Sequence, residues 1–333
     1  MDPLTQAGLG AAVAASLSKG VRIRTAIAVG ALAGAAPDLD ILIRSNQDAL
    51  LSLEYHRHFS HSLLVAPIIG FAVAFLYYLI FSRDKVPLLQ LTIFGIAGAT
   101  THGLLDACTS YGTRLYWPFS QLRESWDIIS IIDPIFSLPL LLLTFLSFFL
   151  RRPNFARIAC LLCGLYFCFG LYQKEQAKTL TKLLARERGH DCERLSVRPS
   201  FANTILWRTL YQSGAHYYVD ALRIVPGQEP VRYQGESVPF FGKSQLDSWT
   251  GKNPLLAIAV DRFAHFSQGY LYQPNGQPEV LADLRYSILP NSTKPLWGIT
   301  IPSQPNTEQV DFVTFRRRED TTLSKFFSML RGE

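Results

Sequence analysis

Long apolar runs with few charges fill the first half of the chain, whereas most of the charge lies in the second half. A helix needs about 20 mostly apolar residues to cross a bilayer. Three runs meet that length, at 62–81, 86–105 and 128–150, and a fourth run at 158–172 is uncharged but short. The pattern therefore predicts a bundle of membrane-spanning helices before residue 172.

Two earlier runs, 7–18 and 25–37, are rich in alanine and glycine. Each is too short to span a bilayer alone, but small residues let two helices approach closely. We expect these runs to form a tight helical hairpin against the longer helices. The membrane part then holds about four to five helices.

The pattern changes after Tyr172. Residues 173–190 read as an amphipathic helix, and Asn275–Gly276 is a hairpin signal between two strand-like runs. The strand-like runs lie at 216–225, 230–235, 279–289, 296–301 and 310–315. Helices are predicted over 253–266 and 321–332. The fold class is thus an α-helical multi-pass membrane domain followed by a soluble, strand-rich α+β domain. The predicted domains are 1–172, a juxtamembrane helix and linker at 173–198, and 199–333.

Composition and charge narrow the class of function. The net charge is +6, with 17% charged and 48% hydrophobic residues, and no run of Lys and Arg interleaved with aromatic residues occurs. These features fit a membrane protein with basic loops and argue against a nucleic-acid partner. The five cysteines are an odd number, and three of them lie in one apolar run. We interpret these three as small packing residues and not as a disulfide framework.

Histidines and aspartates cluster at the ends of the apolar runs. The chain has seven histidines, and three of them fall within six residues, in "HRHFSH" at 56–61. The other unusual polar positions are Asp38, Asp40, His102, Asp106 and Asp133. Ionisable groups at membrane depth are costly and indicate function.

Helix direction predicts that these groups meet at one membrane face. The span 62–81 starts beside the histidine cluster and runs away from it, and the span 86–105 returns with His102 and Asp106 at its end. The next span leaves from the same face, with Asp133 at its start. If 25–37 ends at this face as well, Asp38 and Asp40 join the group.

The chemistry of the group is that of a metal site. His102 and Asp106 are four residues apart, so they share one helix face. Imidazole and carboxylate ligands together suit zinc, manganese or iron, and the number of candidates allows one ion or two. Such an ion would lower the pKa of a bound water and create a hydroxide nucleophile. The predicted metal ligands are Asp38, Asp40, His56, His61, His102 and Asp106.

The order of the motifs resembles the YdjM-like family of bacterial membrane-bound proteins. The matching segments are "PDLD" at 37–40, "HRHFSHS" at 56–62, "HGLLDACTSYG" at 102–112 and "DP" at 133–134. Ser60 stands where the family usually has threonine, which keeps the hydroxyl group. The resemblance implies an inner-membrane location and metal-dependent hydrolase activity, with a divalent metal, most simply zinc, as the cofactor.

The leading hypothesis is a membrane-bound metal-dependent hydrolase of phosphoester or lipid-linked substrates. Arg57 would bind an anionic group of the substrate, and Asp133 is the second catalytic candidate. Membrane lipids are the expected partners, since the site lies at the lipid–water boundary. One alternative is a non-enzymatic metal-binding or ion-transport protein. Another is that the soluble half carries the function and the membrane half serves as its anchor.

Overall fold

The structure, a computed structural model, forms two compact units. It describes residues 1–18, 22–82, 86–251, 253–300, 310–315 and 320–333. The N-terminal unit consists of residues 1–43, 55–171 and 201–203. The C-terminal unit consists of residues 44–54, 172–200 and 204–333. The division into three domains expected from the sequence stays a prediction, since compact units are not by themselves independently folding domains.

Helices form most of the N-terminal unit, and the stretch 108–133 is not helical. In chain order the helices up to Glu187 are α1 Pro3–Ser16, α2 Ile23–Ala35, α3 Leu51–Tyr55, α4 Ala66–Tyr77, α5 Leu88–Ala107, α6 Pro134–Leu150 and α7 Pro153–Glu187. Short 3-10 segments follow α2, at Ala36–Leu42, and precede α4, at Phe59–His61.

Several helices have the length and composition of membrane spans. Among the described residues, three qualify, at Ile23–Leu42, Leu88–Ala107 and Pro153–Glu187, and the bent pair Leu51–His61 with Ala66–Phe81 raises the number to four. This agrees with the predicted multi-pass helical region. The short run 25–37 reaches spanning length because the 3-10 segment continues α2.

Two boundaries differ from the expected ones. The run 158–172 and the amphipathic segment after it form one continuous helix, α7, of 35 residues. The predicted span at 128–150 is shorter, because α6 begins only at Pro134 and has 17 residues. Proline is favoured in the first turn of a helix, where its missing N–H would be unsatisfied anyway.

Glycines bring α1, α2 and α5 into backbone contact, as expected for a tight hairpin. A Cβ atom added to Gly10 would lie 2.4 Å from the carbonyl oxygen of Gly30, and one added to Gly98 would lie 2.5 Å from that same oxygen. Both separations are shorter than any tolerated contact. The α5 helix, which carries two of the candidate ligands, is therefore held directly against α2.

The C-terminal unit is rich in strands. Its two antiparallel sheets have four strands each, in the orders β1-β2-β3-β4 and β5-β6-β7-β8. The strands are β1 Arg194–Pro199, β2 Leu206–Ser213, β3 His216–Arg223, β4 Val231–Pro239, β5 Leu271–Tyr272, β6 Val280–Asp283, β7 Trp297–Thr300 and β8 Asp311–Thr314. Its further helices are α8 Lys243–Thr250, α9 Pro254–Phe266 and α10 Asp320–Arg331. The strand-rich C-terminal fold is confirmed; residue 301, at the end of one predicted run, lies outside the described part.

Paired charges stabilise this unit from within. The guanidinium of Arg188, just past α7, makes two hydrogen bonds of 2.6 and 2.9 Å to the carboxylate of Asp220 on β3. The hydrogen bonds that Arg188 donates to the Asp220 carboxylate raise the pKa of Arg188 above its usual value. This pair ties the end of the long helix to the first sheet.

Candidate metal centre

Four side chains from three segments converge in the N-terminal unit. One ligand atom each of Asp38, His61, His102 and Asp106 lies within 4.8 Å of all the others. Asp38 comes from the 3-10 segment after α2, His61 from the 3-10 segment before α4, and the other two from α5. His61, His102 and Asp106 are buried, whereas the side chain of Asp38 keeps 22% of its surface exposed.

Four of the distances between these atoms are close to those around a tetrahedral ion. Bonds of about 2.0–2.2 Å to a tetrahedral ion place neighbouring ligand atoms about 3.3–3.6 Å apart. His61 Nε2 lies 3.6 Å from Asp38 Oδ1 and 3.2 Å from Asp106 Oδ2. His102 Nε2 lies 3.4 Å from Asp38 Oδ1 and 3.7 Å from Asp106 Oδ2. The two Nε2 atoms are closer, at 2.9 Å.

Hydrogen bonds at Nδ1 fix both imidazoles with Nε2 facing the centre. His102 Nδ1 lies 2.6 Å from the Gly34 carbonyl oxygen, which can only accept, so Nδ1 carries the proton. His61 Nδ1 lies 3.3 Å from Asp40 Oδ2 and 3.0 Å from the Ser60 hydroxyl. A carboxylate behind a ligating histidine is the usual way to orient it towards a metal. In their neutral forms, both rings thus present a lone pair to the same point.

Asp106 has one satisfied oxygen and one that is not. The amino group of Met1 donates to Oδ1, and the amide of Gln6 donates to it at 2.9 Å. Oδ2 is buried and makes no hydrogen bond, although Arg57 Nε lies 3.1 Å away. A buried carboxylate oxygen without a donor is costly. A cation at the centre would satisfy Oδ2 and the two Nε2 lone pairs together, so the residues fit a divalent ion.

Proline and glycine create the local geometry of the centre. In a 3-10 turn, the N–H of residue 37 would donate to the carbonyl oxygen of Gly34. Pro37 has no N–H and cannot make this bond. The Gly34 carbonyl instead accepts a hydrogen bond from His102. Gly103 lets α5 approach the histidine segment, because a Cβ there would lie 2.2 Å from the His61 carbonyl oxygen. A larger residue at Gly103 would push α5 away from the segment that carries His61.

Asp40 and His56 lie just outside the four converging side chains. Asp40 Oδ1 lies 2.9 Å from His56 Nδ1, while Oδ2 accepts from the Arg57 backbone N–H at 2.8 Å and from Ser60 at 3.0 Å. Asp40 therefore connects a ligand, His61, to a histidine whose side chain is 30% exposed. Direct metal ligation by Asp40 and His56 stays a prediction; their observed contacts are those of orienting groups.

Arg57 is held beside the centre in a rare backbone conformation. Its φ is 61°, uncommon for a residue other than glycine. Its N–H bonds Asp40, and its carbonyl accepts from the Arg114 N–H at 3.0 Å, so both sides of the strained residue are fixed. The guanidinium donates to the Thr109 hydroxyl at 3.1 Å and lies over the ring of Tyr111. A single cationic side chain is thereby kept next to Asp106.

Asp133 has a local role at the start of α6. One carboxylate oxygen accepts from the Phe136 N–H at 3.3 Å, and the other accepts from the Tyr166 hydroxyl at 2.9 Å. This is a helix N-cap, with Pro134 at the first helical position. The structure does not place Asp133 among the four converging side chains. Its catalytic role stays a prediction.

A family model that describes the YdjM inner membrane proteins matches residues 1–177. The matched region contains every residue of the centre and more than half of the chain. This chain belongs to the YdjM family of inner membrane proteins. No curated protein and no solved structure matches the chain. Together with the apolar helices, the family places this member in the inner membrane.

Two contributors to the centre of this YdjM-family chain were not anticipated. Gln6 is fully buried and hydrogen-bonds both Asp106 and the His102 carbonyl oxygen, the latter at 3.4 Å. The sequence gives an indication of this role, since Gln6 is a lone amide side chain beside a run of alanine and glycine. The role of the Gly34 carbonyl could not be predicted from the sequence, because every residue has a backbone carbonyl. Only the way the helices cross brings this carbonyl to His102.

Proposed function

We propose that this chain is a membrane-embedded hydrolase that uses a divalent metal to cleave phosphoester or lipid-linked substrates. The observation that carries the proposal is the convergence of two imidazoles and two carboxylates, three of them buried and Asp38 partly exposed. Buried ligands hold an ion firmly. The exposed edge at Asp38 leaves one side by which a substrate approaches.

A divalent ion bound at this centre supplies an acidic water and polarises an ester oxygen. Residues of the chain orient the side chains that would hold the ion. Asp40 and the Gly34 carbonyl keep the Nε2 atoms of His61 and His102 turned inwards. Gln6 holds Asp106 by one oxygen, so that the other oxygen faces the centre.

We assign to His56 the removal of a proton from the attacking water. Its Nδ1 faces Asp40 at 2.9 Å, which leaves Nε2 as the acceptor atom. The ring centroids of His56 and His61 are 6.1 Å apart, so the base stands next to a ligand. In this proposal His56 accepts a proton rather than binding the ion.

We assign to Arg57 the binding of the anionic part of the substrate. Its Nε lies 3.1 Å from Asp106 Oδ2, beside the centre, and guanidinium groups suit phosphate oxygens. Its strained backbone and its contact with Tyr111 keep it from turning away.

Exposed apolar side chains beside the centre favour an amphiphilic substrate. Three apolar residues lie close to Asp38 and Asp40 in the chain. These residues are Leu39, Ile41 and Leu42, which are 65%, 64% and 67% exposed. They belong to a candidate membrane span, so hydrocarbon and not water is their natural surrounding. A substrate with a polar headgroup and a lipid tail suits this boundary.

The test is metal-dependent cleavage by the purified protein in detergent or vesicles. We expect release of the headgroup from a phospholipid, or hydrolysis of bis-p-nitrophenyl phosphate, that chelator abolishes and added zinc or manganese restores. His102→Ala should lose both the metal and the activity. The matched control is His265→Ala, which changes an exposed histidine of the C-terminal unit. His56→Gln should keep the metal but lose most of the activity.

One observation favours a second candidate, a metal-binding or transport protein without hydrolase activity. The cluster offers four protein atoms, enough to fill a tetrahedral coordination sphere, and sites closed in this way are usually structural. Stoichiometric metal without any chelator-sensitive cleavage would support this candidate. Metal flux into proteoliposomes would then separate transport from a structural role.

A further inference from the structure

An apolar cavity that is open on one side lies within the N-terminal unit. Its volume is about 360 Å³, and α1, α5 and α7 form its walls together with the side chain of Trp126. The walls include Leu9, Leu105, Gly164 and Phe167. Small-molecule and lipid sites commonly have volumes of about 300–1,000 Å³ and mostly apolar linings.

The surroundings of this cavity indicate what fills it. Two of its walls, α5 and α7, are candidate membrane spans, and the family is an inner membrane family. Apolar cavities do not hold water and instead bind apolar molecules. In a bilayer the abundant apolar molecule of the right shape is the hydrocarbon chain of a lipid.

The cavity begins within one helical turn of the metal centre. On α5, Leu105 lines the cavity and is followed directly by the ligand Asp106. On α1, Leu9 lines the cavity and stands three residues after Gln6, which bonds Asp106. One turn of helix rises only about 5.4 Å. The same two helices thus serve the polar centre and the apolar cavity.

We propose that this cavity binds one hydrocarbon chain of a membrane lipid. Binding of the chain depends only on the shape and chemistry of the cavity. A second step rests on the proposed hydrolase function: the lipid that places its chain here is the substrate, with its headgroup at the metal centre.

Gly164 offers a clean way to fill the cavity. A Cβ atom added to Gly164 meets nothing within 4 Å, so a larger side chain enters open space and does not displace a neighbour. Gly164→Phe therefore blocks the cavity. The matched control is Leu161→Phe on the same helix, since Leu161 is 61% exposed and does not line the cavity.

Trp126, in the cavity wall, reports on occupancy. The fluorescence emission of Trp126 is the emission of each protein minus the emission of the same protein carrying Trp126→Phe. In vesicles of phosphatidylcholine with dibrominated acyl chains, we expect this emission to be quenched in wild type and in Leu161→Phe, relative to unbrominated vesicles. Most of that quenching should be lost in Gly164→Phe. Metal content should be unchanged in all variants, which shows that they fold.

Two results would overturn the proposal. One is the absence of quenching of the Trp126 emission in wild type. The other is equal quenching in wild type and Gly164→Phe, which would mean that lipid around the protein and not in the cavity is the quencher. Cleavage assays test the second step separately: Gly164→Phe should shift the preference towards phospholipids with shorter chains. If neither a phospholipid nor bis-p-nitrophenyl phosphate is cleaved, the hydrolase proposal fails while the quenching result still decides chain binding.

Discussion

Asp106 in the N-terminal unit and Asp283 in the C-terminal unit are both fully buried, and each lies beside an arginine. Their surroundings differ in one respect. Both oxygens of Asp283 accept hydrogen bonds from the Arg285 guanidinium, at 2.9 and 2.8 Å, and Trp297 adds a third donor at 3.3 Å. Asp106 Oδ2 has no such bond.

The difference separates structural from functional buried charge. Asp283 is satisfied within its own unit, as a residue that only stabilises the fold should be. Asp106 Oδ2 instead lies 3.2 Å from His61 Nε2 and 3.7 Å from His102 Nε2, and a cation between them would satisfy all three atoms. Burial of an acidic group is therefore a weak sign of function until its hydrogen-bond partners are known.

The largest expected effect follows from removing a ligand. His102→Ala or Asp106→Asn should reduce the metal content of the purified protein to background, because each variant removes one of the four candidate ligands that converge at the centre. Elemental analysis after dialysis against buffer provides the measurement. Full metal content in either variant would place the ion elsewhere.

The second effect concerns the other aspartate. Asp283→Ala leaves the buried Arg285 guanidinium without its carboxylate and should destabilise the C-terminal unit by about 3–5 kcal/mol. Thermal unfolding followed by circular dichroism measures the loss. Metal content should stay at the wild-type value, and a loss of metal would break the distinction between the two aspartates. Glu187→Ala, at the exposed ion pair with Arg232, is the control without a measurable shift.

The third effect tests orientation without ligation. Asp40→Asn keeps the size of the side chain but removes the charge behind His61, and we expect metal affinity to fall by about 10- to 100-fold. Competition with a fluorescent zinc chelator gives the affinity. Complete loss of metal would instead make Asp40 a direct ligand, as the sequence predicts.

The fourth effect separates Asp133 from the centre. Asp133→Ala removes the N-cap of α6 and should lower stability by about 1 kcal/mol. Metal affinity and, if the protein is a hydrolase, the rate per bound ion should not change. A large drop in rate at full metal content would establish the catalytic role that the sequence suggests.

The smallest expected effect concerns the segment 44–54, which belongs to the C-terminal unit. In the chain, this segment connects Asp38 and Asp40 to the histidine cluster at 56–61. Arg262 on α9 binds this segment through Asp48, at 3.0 Å, and Glu54, at 2.8 Å. Exposed ion pairs contribute about 0.2–1 kcal/mol, so Arg262→Ala should weaken metal binding by no more than about fivefold. Arg232→Ala is the control, since Arg232 makes an ion pair of similar exposure away from this segment.

Much of the centre could be predicted from the sequence. The i, i+4 spacing of His102 and Asp106 and the direction of successive spans predict that both residues lie at the same face as His61. Asp38 joins them only on the condition that the run 25–37 ends at that face. Five strands of the second half, β3, β4, β6, β7 and β8, overlap runs predicted from their local alternation. The strands β1 and β2 were not among the predicted runs. The features that were predicted depend on neighbours in the chain or on helix direction alone.

The rest depends on how the helices cross. The contact of Gly103 with the His61 carbonyl and the bond from His102 to Gly34 require a particular approach of α5 to its neighbours. No pattern along the chain encodes that approach. The separation of Asp40 and His56 from the four converging side chains, and the capping role of Asp133, follow from the same packing.

X-ray absorption of the purified, metal-loaded protein tests the central claim most directly. The account predicts one ion per chain, coordinated by two imidazole nitrogens and by carboxylate oxygens at about 2.0–2.2 Å. In His102→Ala the imidazole scattering should disappear together with the ion. An ion bound through sulfur, or one retained with unchanged coordination in His102→Ala, would contradict the account.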